Sequence, residues 1–194
     1  MISHVDKRVG DIIQTLKDND LYENTIIVFA GDNGLAVGQH GLMGKQNVYE
    51  HSIGVPLMIK AAAQHTGKKT ADLCYLIDVF PTLCDMLQLP VPRSVDGVSL
   101  LSSIKGGRPI RDHLYYCYMD NQRSISDGIW KLIEYHVNGE RTTQLFKLKD
   151  DPWEMNNLSG QKKYRKIIQR LREKMIEDQR KTNDTSIFWN NFSY

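Results

Sequence analysis

Two side chains with hard oxygen donors, Asp32 and Asn33, stand side by side in a glycine-rich stretch of the sequence. They directly follow residues 25–30, a short apolar run that predicts a strand buried on both faces, as in parallel sheets. In open α/β sheets ligands bind just beyond the carboxyl ends of strands. Carboxylate and amide oxygens suit Ca²⁺ or Mg²⁺. The four residues 31–34 alone favour a tight Asn-Gly turn, with a metal site as the alternative.

A histidine and a lysine, His40 and Lys45, follow in the same stretch, in which residues 31–44 include five glycines. Such a loop turns sharply, so Lys45 can fold back over the strand end that carries Asp32. A metal and an ammonium together suit an anionic group with several oxygens, since each cation neutralises a different oxygen. His40 is the weaker candidate, because a loop histidine often only hydrogen-bonds to backbone.

The elements that must position these residues alternate between helix and strand. Apolar residues at spacings of three and four predict a helix over residues 2–16. A short helix over 49–53 and a strand over 55–59 follow the glycine-rich loop. A helix over 78–89 begins with Asp78 as its N-cap and places Phe80, Leu83 and Leu87 on one face. Residues 1–89 are thus predicted to be an α/β portion.

Beyond an irregular segment at residues 90–111, the pattern changes to antiparallel β-structure. Strands are predicted over 114–118, 123–126, 130–136 and 144–149, and Asn138-Gly139 is a strong hairpin signal. A helix over 161–181 closes this part, with Tyr164, Ile168, Leu171 and Met175 on one apolar stripe. The predicted domains are 1–110 and 111–194.

Composition excludes several classes of protein. The 194 residues are 41% hydrophobic and 25% charged, which is typical of a globular chain and not of disorder. The longest apolar run, residues 26–30, is too short to span a bilayer. A net charge of +2 gives no overall attraction to nucleic acid. The three cysteines have no metal-binding spacing. We therefore expect neither nucleic acid nor a membrane as a partner.

Several motifs together resemble the sulfatase family of the alkaline-phosphatase superfamily. They are residues 24–34, 38–45, 49–50, 55–59, 78–83, 96–100, 145–146 and 151–158. The resemblance implies that 1–110 is the carboxyl-terminal part of an alkaline-phosphatase-like α/β/α sandwich. It implies that 111–194 is a small antiparallel β-sheet with a helix.

The resemblance also implies a chemistry. Sulfatases hydrolyse sulfate esters with a formylglycine made from the first residue of a Cys/Ser-x-Pro-x-Arg motif, and a divalent metal, usually Ca²⁺, binds the sulfate. By motif match, Asp32 and Asn33 are two metal ligands, Lys45 contacts the sulfate and the oxygen being cleaved, and His40 is a substrate-binding candidate. The nucleophile motif does not occur in these 194 residues. We therefore expect half a metal site and no turnover by this chain alone.

Two other functions stay open. A phosphodiesterase or phosphonate hydrolase of the same superfamily would look alike in this stretch. A non-enzymatic module is the second, because residues 161–181 hold nine Lys or Arg against three Asp or Glu. The resemblance implies a sulfated small molecule or glycan as substrate, and a periplasmic, secreted or lysosomal location. An apolar strand without neighbours also predicts self-association, or a further amino-terminal segment that packs beside it.

Overall fold

The computed structural model describes residues 1–62 and 67–185. The helices are α1 (Ile2–Asp18), α2 (Glu50–Ile53), α3 (Val79–Met86), α4 (Leu101–Ile104) and α5 (Arg165–Lys181), with 3₁₀ turns at Gln39–Gly41, Leu76–Asp78 and Lys162–Tyr164. The strands are β1 (Ile27–Ala30), β2 (Ala36–Val37), β3 (Met43–Gly44), β4 (Leu57–Lys60), β5 (Leu114–Tyr118), β6 (Gln122–Ser126), β7 (Trp130–Val137) and β8 (Glu140–Lys147).

Contacts divide the chain into two compact units. The first comprises Met1–Gly31 and Pro56–Lys69, and the second comprises Asp32–Val55 and the chain from Thr70 onward. Residues 32–55 and 70–110 thus share a unit with the predicted carboxyl-terminal domain. The division into domains at 110/111 stays a prediction.

In the first unit, β1 pairs with β4, and this pairing corrects the prediction of a strand buried in a parallel sheet. The pairing is antiparallel, with Ile27 opposite Lys60 and Ala30 opposite Leu57. Phe29 is exposed and α1 has no buried residue. A strand such as β1 is buried on both faces only if helices or a second sheet pack against each face. The described residues do not cover both faces of β1 in this way. Self-association, or a further segment over these faces, stays a prediction.

The second unit is built on the antiparallel sheet β5-β6-β7-β8, which confirms the predicted small sheet with a helix. The Asn138-Gly139 hairpin is confirmed, with left-handed φ values of 54° and 82°. Strand β8 begins at Glu140, before the predicted residue 144, because its polar first half pairs with β7 although it has no apolar pattern.

Each face of this sheet carries its own apolar cluster. Helix α5 lies on one face, where Ile168, Leu171 and Met175 are buried as predicted. On the other face, Val48 and Tyr49 pack against Ile133 and Phe146 of the sheet. The second cluster fixes the segment that follows the glycine-rich loop, so the sheet is the platform of the candidate site.

Helix α3 buries a different face from the predicted one. Phe80 and Leu87 are exposed, while Pro81, Thr82 and Cys84 are buried. The reason is a polar contact: the Thr82 hydroxyl donates to the Asp78 carbonyl at 2.6 Å and accepts from the Leu100 amide at 2.8 Å. Asp78 lies at the predicted N-cap position of α3, but its side chain makes no cap hydrogen bond there.

The Asp78 carboxylate is instead the centre of a buried hub. It accepts hydrogen bonds from the Tyr75 and Val98 amides, each at 2.8 Å, and pairs with both terminal nitrogens of Arg111.

Within the part of the chain that the structure describes, no helix is long and apolar enough to cross a membrane.

Candidate functional site

The loop that follows β1 carries Asp32 and Asn33 and is held against α2. The Gly34 amide donates to the Ser52 carbonyl at 2.9 Å. A Cβ atom on Gly34 would lie 2.0 Å from the His51 carbonyl oxygen. Glycine is therefore required at this position, because only a residue without a side chain lets the loop approach the α2 backbone so closely.

Lys45 and Asn33, both predicted site residues, are in direct contact. The Lys45 ammonium donates to the Asn33 Oδ1 at 2.8 Å. The Asn33 amide nitrogen is held by the Gly34 carbonyl at 2.9 Å, so its oxygen faces the lysine. The hairpin of β2 and β3 positions Lys45: Ala36 is buried and pairs with Gly44, directly before the lysine.

The oxygen donors fit part of a metal site. Asp32 offers two carboxylate oxygens, one of which accepts from the Asn33 amide at 2.9 Å, and Asn33 offers one more. They are hard donors on one short loop, as Ca²⁺ requires, but Ca²⁺ takes six to eight oxygens. Within residues 1–62 and 67–185, no group of three or more His, Cys, Asp or Glu side chains could hold a metal. A half-site for a divalent metal at Asp32 and Asn33 therefore stays a prediction.

His40 makes different contacts from the other three candidates. Its ring stacks on Tyr49 with centroids 3.9 Å apart, and its Nε2 lies 3.0 Å from the Trp153 carbonyl oxygen. Its backbone is left-handed, with φ of 55°. His40, His51 and Trp153 line a cavity of ≈ 500 Å³. Residues 37–40 of the cavity wall belong to the β2–β3 hairpin, and Lys45 directly follows this hairpin.

Behind this cavity lies a charged group for which the sequence analysis gave no role. Lys131 on β7 is fully buried, and its ammonium lies 2.9 Å from Glu50 Oε1 and 2.8 Å from Glu154 Oε1. The Glu50 amide also donates to Glu154 Oε2 at 2.6 Å. Glu50 and Glu154 stand in motifs that carried the resemblance, but Lys131 had no signal except its place in an apolar strand.

Burial and charge set the protonation of the residues around the cavity. Burial lowers the pKa of His51, and the positive charges of His40 and Lys131 lower it further. The His51 Nε2 has no hydrogen-bond partner among the described residues. Burial raises the pKa of Glu154, and the Lys131 charge opposes this shift. The pKa shift of His51 thus favours its neutral form, while the Lys131 charge favours the carboxylate of Glu154 against the effect of burial.

Replacing Gly34 with alanine is expected to lower the free energy of unfolding by about 1–3 kcal/mol, because the new methyl group collides with backbone. Chemical denaturation measures this loss. Gly160→Ala is the matched control, since a Cβ there meets nothing within 4 Å. Equal stability of the two variants would contradict the close approach of the loop to α2.

The basic face of α5 is partly neutralised inside the protein. Ion pairs join Arg170 to Asp127, Arg172 to Glu134, Lys174 to Asp112 and Lys181 to Glu177. These pairs dock the helix or stabilise it along its own length, so this part of the charge has a structural role.

The second unit thus combines a loop of oxygen donors beside a lysine with a helix-covered antiparallel sheet. The family model described as N-sulphoglucosamine sulphohydrolase, C-terminal, matches residues 38–181, and the chain belongs to this sulfatase family. The predicted resemblance is therefore confirmed.

Known proteins show the same relationship. Arylsulfatase K of Gallus gallus is 29% identical over 172 residues, which are 82% of this chain and 32% of the relative. N-acetylglucosamine-6-O-sulfatase of Bacteroides thetaiotaomicron is 29% identical over 193 residues, which are 93% of this chain and 34% of the relative. The chain spans about a third of the length of these curated relatives.

Solved structures share the fold. A candidate sulfatase of Bacteroides fragilis superposes with a TM-score of 0.82 at 28% identity, over 98% of this chain and 43% of that one. Phosphonate monoester hydrolase of Agrobacterium radiobacter gives 0.76 at 26% identity, over 91% and 39%. These likenesses confirm the predicted fold class, part of the alkaline-phosphatase-like α/β fold.

Proposed function

We propose that this chain supplies part of the sulfate-binding site of a sulfuric ester hydrolase that acts on a sulfated small molecule or glycan. The observation that supports this most is the 2.8 Å contact between the Lys45 ammonium and Asn33 Oδ1. The contact places an ammonium beside an oxygen atom that could bind a metal ion. A tetrahedral oxyanion such as sulfate is stabilised by two such positive groups, the ammonium and the metal. The name of the N-acetylglucosamine-6-O-sulfatase supports a sulfated sugar as the substrate.

Each residue has a defined part in the proposal. Asp32 and Asn33 would hold a divalent metal, most suitably Ca²⁺, which supplies positive charge to the sulfate oxygens when bound. Lys45 donates hydrogen bonds to the sulfate and to the ester oxygen, where negative charge develops as the bond to sulfur breaks. His40, stacked on Tyr49, faces the cavity that we assign to the organic part of the ester.

The proposal assigns no catalytic nucleophile to this chain. No Cys/Ser-x-Pro-x-Arg motif occurs in the 194 residues, so a formylglycine would have to come from sequence beyond them. The ligands that complete a Ca²⁺ shell are missing as well, since the two residues provide three oxygens at most.

Sulfate binding with Ca²⁺ present tests the proposal, measured by calorimetry on the 194-residue chain and its variants. Asp32→Ala is expected to abolish the weak Ca²⁺ binding. Lys45→Ala is expected to weaken sulfate binding at least about tenfold, while Ca²⁺ binding is kept or strengthened, because a cation beside the metal site is removed. Lys105→Ala, at an exposed lysine on another loop, is the control.

Unchanged sulfate affinity of Lys45→Ala would overturn the role of Lys45. The same samples are expected to show no turnover of an aryl sulfate, even with excess Ca²⁺, because no covalent nucleophile is present. Turnover that disappears in Lys45→Ala would show that these residues form a complete active site.

A phosphonate or phosphate ester hydrolase is the second candidate, favoured by the likeness to the Agrobacterium radiobacter enzyme. The metal and lysine chemistry is shared, so the two differ in the anion that is preferred. This candidate would be favoured if phenyl phosphonate bound at least about tenfold more tightly than sulfate, and if Lys45→Ala weakened the binding of phenyl phosphonate as much as it weakens that of sulfate.

A further inference from the structure

A second charged surface lies at the start of α5, and its cations have no acidic partner among the described residues. Lys162, Lys163, Arg165 and Lys166 are exposed and fall within five consecutive positions around Tyr164. Within the described part of the chain, none of the four forms an ion pair. This distinguishes them from the later cations of α5, such as Arg170 and Arg172, which have acidic partners. We call the four residues the basic patch.

The basic patch does not stabilise the helix on which it lies. The positive end of a helix dipole is its amino terminus, where acidic side chains are favourable and cations are unfavourable. The first turn of α5 has no acidic residue, and the 3₁₀ turn before it contains Lys162 and Lys163. Four cations at this end therefore repel both the dipole and one another, and they require an explanation other than folding.

Aromatic rings continue the surface beside the patch. Tyr164 packs against Trp130 of β7 with ring centroids 5.2 Å apart. The Lys163 ammonium lies 4.8 Å from the centre of the Tyr164 ring, and the Lys147 ammonium lies 6.0 Å from that of Trp130. Lys147 also pairs with Asp150. Both rings are only partly buried, so each offers part of an aromatic face beside a lysine.

We propose that the basic patch and its aromatic pair bind a polysulfated glycan chain. Short runs of Lys and Arg bind polyanions such as nucleic acid or heparin. The net charge of the whole chain is only +2, so this attraction is local to the patch. Cations bind sulfates that repeat along a glycan, while the faces of Tyr164 and Trp130 offer apolar surface to the C–H faces of sugar rings.

The choice of a sulfated glycan over nucleic acid rests on the function proposed above, whereas anion binding by the patch does not. A glycan held at the patch would keep one polymer attached while successive sulfate esters reach the Asn33–Lys45 site. The proposal extends the substrate class from a small sulfate ester to a polymer.

The test is binding of size-defined heparin oligosaccharides to the 194-residue chain at several NaCl concentrations. The affinity of the unmodified chain is expected to fall with salt, with a log–log slope of about 3, since each cation that neutralises a fixed anion contributes roughly 0.7–0.9. The triple variant Lys163→Ala, Arg165→Ala, Lys166→Ala is expected to bind at least about tenfold more weakly at 0.1 M salt, with a slope of about 1.

A matched control removes three exposed cations elsewhere, in the variant Arg93→Ala, Lys105→Ala, Arg108→Ala. Circular dichroism establishes that both variants keep the fold. Equal loss in the two triple variants would overturn the local patch. Equal or tighter binding of a DNA oligonucleotide of the same charge, or of phosphatidylserine vesicles, would overturn the choice of a glycan. Heparin binding that survives Asp32→Ala separates this proposal from the sulfate site.

Discussion

Replacing Asp78 with alanine is expected to lower the free energy of unfolding by about 3–5 kcal/mol, the cost of breaking a buried charge pair from one side. The Asp78 side chain is fully buried and Arg111 is 15% exposed. Without the carboxylate, the Arg111 guanidinium loses its two bonds, and the Tyr75 and Val98 amides lose their acceptor. Three separate segments would therefore loosen together.

Urea denaturation at neutral pH measures this loss, with Asp85→Ala as the control. Asp85 lies on α3, the helix that directly follows Asp78, but is exposed, so its removal is expected to change stability by no more than about 0.5 kcal/mol. The double variant Asp78→Leu, Arg111→Met is expected to recover part of the loss, because no buried charge is left alone. A loss below about 1 kcal/mol in Asp78→Ala would contradict the hub.

The sequence predicted well those parts of the fold that short-range patterns determine. The apolar stripe of α5 is periodic over several turns, and the Asn-Gly pair fixes its hairpin through backbone conformation alone. In the glycine-rich loop, the β2–β3 hairpin brings Lys45 back to Asn33, in line with the predicted fold-back of the lysine. The metal and sulfate roles of Asp32, Asn33 and Lys45 stay a prediction.

The features that the sequence did not predict depend on contacts between residues that are distant along the chain. The exposed Phe80 on α3 was predicted to share a face with Leu83, but the buried face of that helix holds Thr82, whose hydroxyl accepts a hydrogen bond from the Leu100 amide 18 residues further along the chain. Lys131 gave no signal, because a lysine in a strand is normally solvated. Its burial becomes intelligible only when Glu50 and Glu154, which are separated from it and from each other along the chain, converge on it.

Replacing Lys131 with methionine is expected to produce a pH-dependent loss of stability, about 3–5 kcal/mol at neutral pH. Methionine fills a similar volume but leaves the carboxylate of Glu154 buried without its cation. Burial already raises the pKa of Glu154 above its ordinary value of 4.5, and removing the opposing charge of Lys131 raises it further. The folded state then binds a proton at Glu154 more tightly than the unfolded state does.

The sign of the pH dependence follows from this difference. As the pH falls from 7 towards 4.5, Glu154 becomes protonated in the folded variant before it does so in the unfolded chain, so stability relative to the unmodified protein rises. Chemical denaturation across this range is expected to show the deficit shrinking as the pH falls. Lys149→Met, at an exposed lysine, is the control and is expected to show neither loss nor trend.

The double variant Lys131→Met, Glu154→Gln separates the charge from the packing. A neutral amide no longer titrates, so the difference in stability between this double variant and the unmodified protein is expected to lose most of the pH dependence seen in Lys131→Met. Part of the lost stability is expected to return at pH 7, because the unpaired buried charge is gone. If the deficit of Lys131→Met were constant between pH 7 and 4.5, Glu154 would not be the group that Lys131 neutralises, and the ion pair behind the His40–His51 cavity would have no electrostatic role.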